Sequence, residues 1–274
     1  MRTNGTNRTA AALVALIALL ALASACGGKK AEIAPDLASS DEALYRLGEQ
    51  VIKKDAEKGI LYLRQVIDSF PKSFYAQRAK ILIADAYFRK GDESNMILAA
   101  AEYREFIRTY PYSPSAAYSQ FQIAMTFHKK ILKPGRDQSK TIQALAEFKK
   151  VITDYPGSDQ AKVAQEKIKD CEERLAAHNA EIAIGYCKRR AYRAAISRLT
   201  EIMTTYPDYT RLDEIYFYLG ESHFRLNLLD QSAPYFTKVL TDYPDKKLAK
   251  TAAKRLTEIG NRKAAQKTVP DKKG

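Results

Sequence analysis

The 274-residue chain contains no tryptophan, three cysteines and three histidines, and each shortage removes a class of function. His128, His178 and His223 stand about fifty residues apart and no CxxC pair occurs, so the clustered ligand spacing of a metal site is missing. No GxSxG, GxxxxGK[ST], GxGxxG or HExxH is present either. Acid pairs such as Asp92-Glu93 and Glu172-Glu173 are adjacent residues, which point apart on a helix and belong to a solvated surface. These shortages describe a non-enzymatic chain with no metal and no cofactor. The apolar run at 10–23 is shorter than the roughly 20 residues a membrane span needs.

Acids are also scarce relative to bases: 45 Lys and Arg face 32 Asp and Glu, a net charge of +13. The imbalance is greatest at 245–274, where ten basic residues meet three acids with no aromatic residue among them. Stacking platforms for nucleic acid are therefore missing, and the basic end is matched to anionic lipid or an acidic partner.

What the chain does have is a repeat. Five segments end in an aromatic residue followed by proline: Phe70-Pro71, Tyr110-Pro111, Tyr155-Pro156, Tyr206-Pro207 and Tyr243-Pro244. Twelve residues before each proline stands a small residue (Gly59, Ala99, Ala144, Ala195, Ser232), and eight before it a bulky apolar one (Leu63, Tyr103, Phe148, Leu199, Phe236). Val66, Phe106, Val151, Ile202 and Val239 follow five before, with Ile67, Ile107, Ile152, Met203 and Leu240 beside them. This is one apolar stripe at helical spacing. Proline disfavours the α conformation in the residue before it, so each helix must stop at its aromatic residue. A further helix follows each stop, as Ala76, Ala79, Ile83 and Tyr87 show. Helix pairs at this period resemble tetratricopeptide repeats.

The spacing between prolines varies, and the excess over its minimum of 37 has physical readings. Three extra residues in the second repeat and fourteen in the fourth are close to whole helical turns, so they lengthen helices without rotating the apolar face. The eight extra in the third need a loop, supplied by Lys133-Pro134-Gly135-Arg136-Asp137. The expected fold is all-α: a tetratricopeptide-like helical-repeat solenoid of five helix pairs over 41–244, a capping helix over 245–262 and a basic tail over 263–274.

Residues 1–25 read as an export signal, with Arg2 and Arg8 before the apolar run. Leu22-Ala23-Ser24-Ala25-Cys26 resembles a lipoprotein box, with Leu one place early; Ala23-Ser24-Ala25 also satisfies ordinary signal cleavage. Lipidation of Cys26 would anchor the chain through two or more acyl chains, with 26–40 as a flexible tether. Cys171 and Cys187 fall in one long helix expected over 158–190. Sixteen helical residues span about 24 Å, too far for a bridge, so both read as buried thiols.

Glu105-Phe106-Ile107-Arg108 with Tyr110-Pro111, Gly135-Arg136-Asp137-Gln138 opening a helix, the long helix at 170–186, and the run from Arg189 to Arg198 together resemble the BamD family of outer-membrane assembly lipoproteins. The resemblance covers 41–240 and leaves the lysine-rich tail unmatched. It implies a scaffold lipid-anchored at the periplasmic face of the outer membrane, with its anchor in the inner leaflet. Its implied partners are BamA, through the POTRA domains, other lipoproteins of the machinery, and unfolded β-barrel precursors, with no nucleic acid. It further implies that Arg198, with Arg189 and Arg193, holds BamA; Arg198, one before the core Leu199, is expected partly desolvated beside the stripe, and an intramolecular bridge to Glu201 or to an acid of the preceding long helix is the alternative. A different periplasmic repeat adaptor, such as a Tol-Pal-associated coordinator of constriction, is the alternative. Gln77, Ile81, Asp85 and Phe88, then Phe121, Met125 and His128, lie off the core stripe of the first helices. They are the expected substrate groove, the alternative being that they pack on a neighbouring helix through a wider buried face.

Overall fold

A computed structural model describes residues 40–267, which form eleven α-helices and, among the described residues, no strand. In order these are α1 (Asp41–Val51), α2 (Ala56–Ser69), α3 (Phe74–Lys90), α4 (Glu93–Thr109), α5 (Ser115–His128), α6 (Ser139–Asp154), α7 (Asp159–Lys188), α8 (Tyr192–Thr205), α9 (Leu212–Arg225), α10 (Leu229–Asp242) and α11 (Ala249–Lys267). Successive helices pack in antiparallel pairs, giving five pairs and a last helix stacked on the fifth. The expected signal, Cys26 and the end of the basic tail lie outside the described residues.

The starts and stops have local causes. Ser40, Asp55, Asp92 and Ser158 each accept the backbone N–H three residues on, at 3.0–3.3 Å, satisfying a donor that the first helical turn leaves unpaired. At the other end Phe70, Tyr110, Tyr155, Tyr206 and Tyr243 all leave the helical region at φ −129 to −134° and ψ 48 to 66°, as the following proline demands. Each still donates its N–H to the carbonyl four residues back, at 2.8–3.2 Å, so the stop closes the last turn.

The stripe is the core. Leu63, Tyr103, Phe148, Leu199 and Phe236 are fully buried, and Val66, Phe106, Val151, Ile202 and Val239 are essentially so. Beside them Ile67, Ile107, Ile152, Met203 and Leu240 are only half-buried, because they sit a residue further round the helix. Gly59, Ala99, Ala144, Ala195 and Ser232 are buried where the partner helix crosses, and the Ser232 hydroxyl donates to the Gly220 carbonyl at 2.8 Å. Among the described residues, Cys171 and Cys187 are buried free thiols on α7.

The insertions fall as the spacing implies: α3 and α4 have 17 residues each, α7 has 30, and the third repeat carries the loop 129–138. That loop is tied down. The Gln138 amide donates to the carbonyls of Lys133 and Arg136 at 2.9 and 3.1 Å, and His178 on α7 holds the Pro134 carbonyl at 2.5 Å. One expected boundary is corrected: the last helix starts at Ala249 and runs on to Lys267. The Tyr243-Pro244 joint needs the turn through Leu248 before a helix can restart, and Lys263, expected in the tail, is helical and pairs with Asp230.

Candidate functional site

A cleft of about 470 Å³ opens between α3 and the joint that leads into α5. Gln77, Ile81 and Asp85 stand one turn apart on α3 and line it, opposite Ser113, Pro114 and Ser115. Its rim is aromatic: Phe74 is 67% exposed, and the Arg78 guanidinium sits 5.1 Å from the Tyr45 ring and 5.8 Å from that of Phe74. Asp85 accepts hydrogen bonds from Tyr118 at 2.8 Å and from the buried Tyr103. Burial and the Asp85 charge push the Tyr118 hydroxyl up to about 12 and raise that of Tyr103 as well, so both remain donors to the carboxylate. The cleft thus offers an apolar wall, one fixed carboxylate and a stacked cation, a combination suited to an extended peptide with large apolar side chains.

The other four expected groove residues are not part of this cleft. Phe88 is half-buried against the α3–α4–α5 cluster, with the Lys129 ammonium 4.1 Å over its ring. Phe121 and Met125 pack inward among α5, α6 and α7, Phe121 lying 5.5 Å from the Phe148 ring. His128 hydrogen-bonds Asp170 across to α7 at 3.1 Å, and burial holds its imidazole below the usual value. The expectation of one continuous groove is therefore corrected. The long α7 covers the face of α5 that sequence spacing alone leaves open. Tyr45 joins the cleft only through tertiary placement, whereas Phe74 and Arg78 extend the Gln77–Ile81–Asp85 face of α3 at helical spacing, and the Phe74-Tyr75 pair beginning that helix was their local signal.

At the α7–α8 joint, Arg190 takes a left-handed conformation (φ 63°) that turns the chain. Arg189 and Arg193 beside it are exposed, with the Arg189 guanidinium 5.1 Å over the Tyr186 ring. Arg198, expected to be partly desolvated beside the stripe, is 57% exposed and makes a 3.4 Å bridge to Glu201. Helical position next to the core Leu199 does not bury it: it borders a small hollow with Asn179 of α7 and with Glu201, the partner of the intramolecular alternative.

Among the described residues no group of three or more His, Cys, Asp or Glu is arranged to hold a metal ion. The geometry is that of a helical-repeat solenoid, the class to which tetratricopeptide proteins belong. Residues 37–234 match the family model YfiO, described as outer membrane lipoprotein, and the chain belongs to that family. It is 25% identical over 245 residues to the outer membrane protein assembly factor BamD of Caulobacter vibrioides, covering 88% of this chain and 79% of that one. It is 27% identical to the BamD of Rickettsia prowazekii, covering 78% and 83% respectively. Among solved structures it is similar to the TPR2AB domain of yeast Sti1, at 14% identity over 86% of this chain and 89% of the other, with a TM-score of 0.42. The family and the relatives' names favour outer-membrane assembly over the Tol-Pal alternative.

Proposed function

We propose that the chain is a non-enzymatic scaffold lipoprotein of the outer-membrane β-barrel assembly machinery. Lipid on Cys26 anchors it to the periplasmic face of the outer membrane, and the α3 cleft receives segments of unfolded barrel precursors. The observation that carries this reading is the open, aromatic-rimmed cleft on a chain of the outer membrane lipoprotein family. A barrel strand alternates large apolar and polar side chains, and the cleft provides an apolar wall at Ile81 and polar groups at Gln77 and Asp85 to match. A photo-crosslinker at Ile81 should capture barrel precursors in cells while one at the exposed Tyr112 captures far less; equal capture at both refutes the cleft as the receiving site.

Arg198, with Arg189 and Arg193, holds a POTRA domain of BamA. Arg198 is solvated in the isolated chain and its 3.4 Å bridge to Glu201 is long, so little is lost in exchanging Glu201 for a bidentate carboxylate on a partner. Breaking such a contact after assembly costs about 2–5 kcal/mol. Arg198→Glu should therefore abolish co-purification with BamA and leave the melting curve of the isolated protein unchanged. An intact complex, or an unfolded variant, overturns the assignment.

A further inference from the structure

A second concavity, of about 860 Å³, lies where α7, α9 and the α10–α11 joint meet, and it shares no residue with the α3 cleft or the Arg198 surface. Its charges are unbalanced in a specific way. Arg211 is paired with Glu214, but Lys188, Lys246 and Lys247 are exposed and have no acidic partner among the described residues. Asp213 also lines the cleft, is only 6% exposed, and among the described residues makes no hydrogen bond or ion pair, though its charge lies near that of Arg211. Its place in the first turn of α9 gives it the favourable end of the helix dipole, yet leaves its lone pairs unused. Its oxygens are not enclosed away from solvent, so the carboxylate is tolerated as it stands and remains free to accept from a ligand that brings donors.

A fitting ligand must bring hydrogen-bond donors to Asp213 and negative charge to the three lysines, and must place apolar groups against Ile184 and Leu248. An extended polypeptide does all three, through its backbone N–H groups, acidic side chains and the apolar residues between them. An anionic lipid surface does not. It can reach Lys246 and Lys247, but it is too flat to fill the concavity and sets phosphates against the Asp213 and Glu181 carboxylates. We infer that this cleft is a second binding site, taking an extended acidic polypeptide segment, with Lys188, Lys246 and Lys247 on its carboxylates and Asp213 on its backbone N–H groups.

The test uses the detergent-solubilised full chain and a fluorescein-labelled twelve-residue peptide of Glu-Val-Glu-Thr repeats, with a Lys-for-Glu peptide as control, read by anisotropy. The acidic peptide should bind and the basic one should not. Joint Lys246→Glu and Lys247→Glu substitution should weaken binding by about tenfold or more, since it reverses charges at the contact. Lys250→Glu with Lys254→Glu, on exposed positions of α11 outside the cleft, should change it by less than about twofold. Asp213→Asn should weaken binding several-fold with the melting temperature kept or raised. The inference is overturned if the acidic peptide does not bind. It is equally overturned if the two lysine pairs matter alike, if Asp213→Asn only destabilises the fold, or if vesicles of phosphatidylethanolamine and phosphatidylglycerol displace the peptide.

Discussion

Replacing Gly59 by alanine tests the steric meaning of the small residue in each repeat. Gly59 sits in the first turn of α2 where α1 ends, and a Cβ there would lie 2.4 Å from the Ile52 Cα, 2.5 Å from its Cβ and 2.5 Å from its N. None of these atoms belongs to a side chain that can swing away, so relief requires the end of α1 to move outward by about 1 Å. Overpacking of this kind costs about 1–3 kcal/mol, and a backbone obstacle puts it at the upper end. Alanine returns about 1 kcal/mol of helix propensity. The net expectation is a loss of about 2 kcal/mol, or a factor of about 30 in the folding equilibrium. Urea unfolding followed by circular dichroism gives the loss, and hydrogen exchange gives its location: α1 amides should exchange faster while α8 to α10 stay unchanged. Gly260→Ala is the control, because a Cβ there meets nothing within 4 Å and should stabilise α11 by about 0.5–1 kcal/mol. A Gly59→Ala protein as stable as the original, or one whose faster exchange is spread evenly over the chain, refutes the reasoning.

Glu221 links α9 to α11 by accepting from Arg255 at 2.7 Å, and within α9 it also accepts from Arg225 at 2.7 Å. Burial pushes its carboxyl up, but the two guanidinium groups outweigh burial and hold it below its usual 4.5. A depressed folded value means the stabilisation is complete above about 4.5 and is lost as pH falls through the lower folded value. Thermal melts at decreasing pH should therefore show a fall that Glu221→Gln reduces; parallel profiles contradict this. Asp85→Ala leaves the Tyr103 and Tyr118 hydroxyls without their acceptor and should cost about 1–3 kcal/mol in urea unfolding. The same change in a Tyr103→Phe, Tyr118→Phe background should cost much less, and an equal loss there would show that the hydroxyls are irrelevant. Burial raises the Cys187 thiol and pushes that of Cys171 up to about 12, so neither should react with iodoacetamide until the protein unfolds. Peptide mass spectrometry decides it, and rapid labelling of Cys171 in the folded protein would refute the burial argument.

The helices were legible because proline and its aromatic neighbour are statements about the backbone. Tyr155-Pro156 stops α6 by itself, whatever the rest of the chain does. The contact positions were legible for a related reason: a small residue, then a bulky one four on, describes one helix crossing, and Ala144 with Phe148 needs no distant information. What spacing could not give is which faces other helices cover. Phe121 and His128 look free on a helical wheel, but α7 is long enough to reach back over them. Conversely, Tyr45 and Phe74 belong to different helices, and only the stacking of the first two repeats brings Arg78 onto both rings. The start of α11 was misplaced because a joint also consumes residues, from Tyr243 to Leu248 here, before a new helix can form.

The length of α7 changes how the array should come apart. At 30 residues it is about 45 Å long, and it bonds backward to α5 through Asp170 and His128, sideways to the third-repeat loop through His178, and forward to the α8–α9 joint through Glu173. Tandem repeats that meet only their immediate neighbours can melt one unit at a time from either end. A rod crossing three units forbids that in the middle, so the third, fourth and fifth repeats should open together as one cooperative block while the first two fray separately. The α3 cleft has its floor on the separable part and its far wall, at Ser115, on the edge of the block, while the α7–α9 cleft is framed by the block, so the chain joins a compliant grip to a stiff frame.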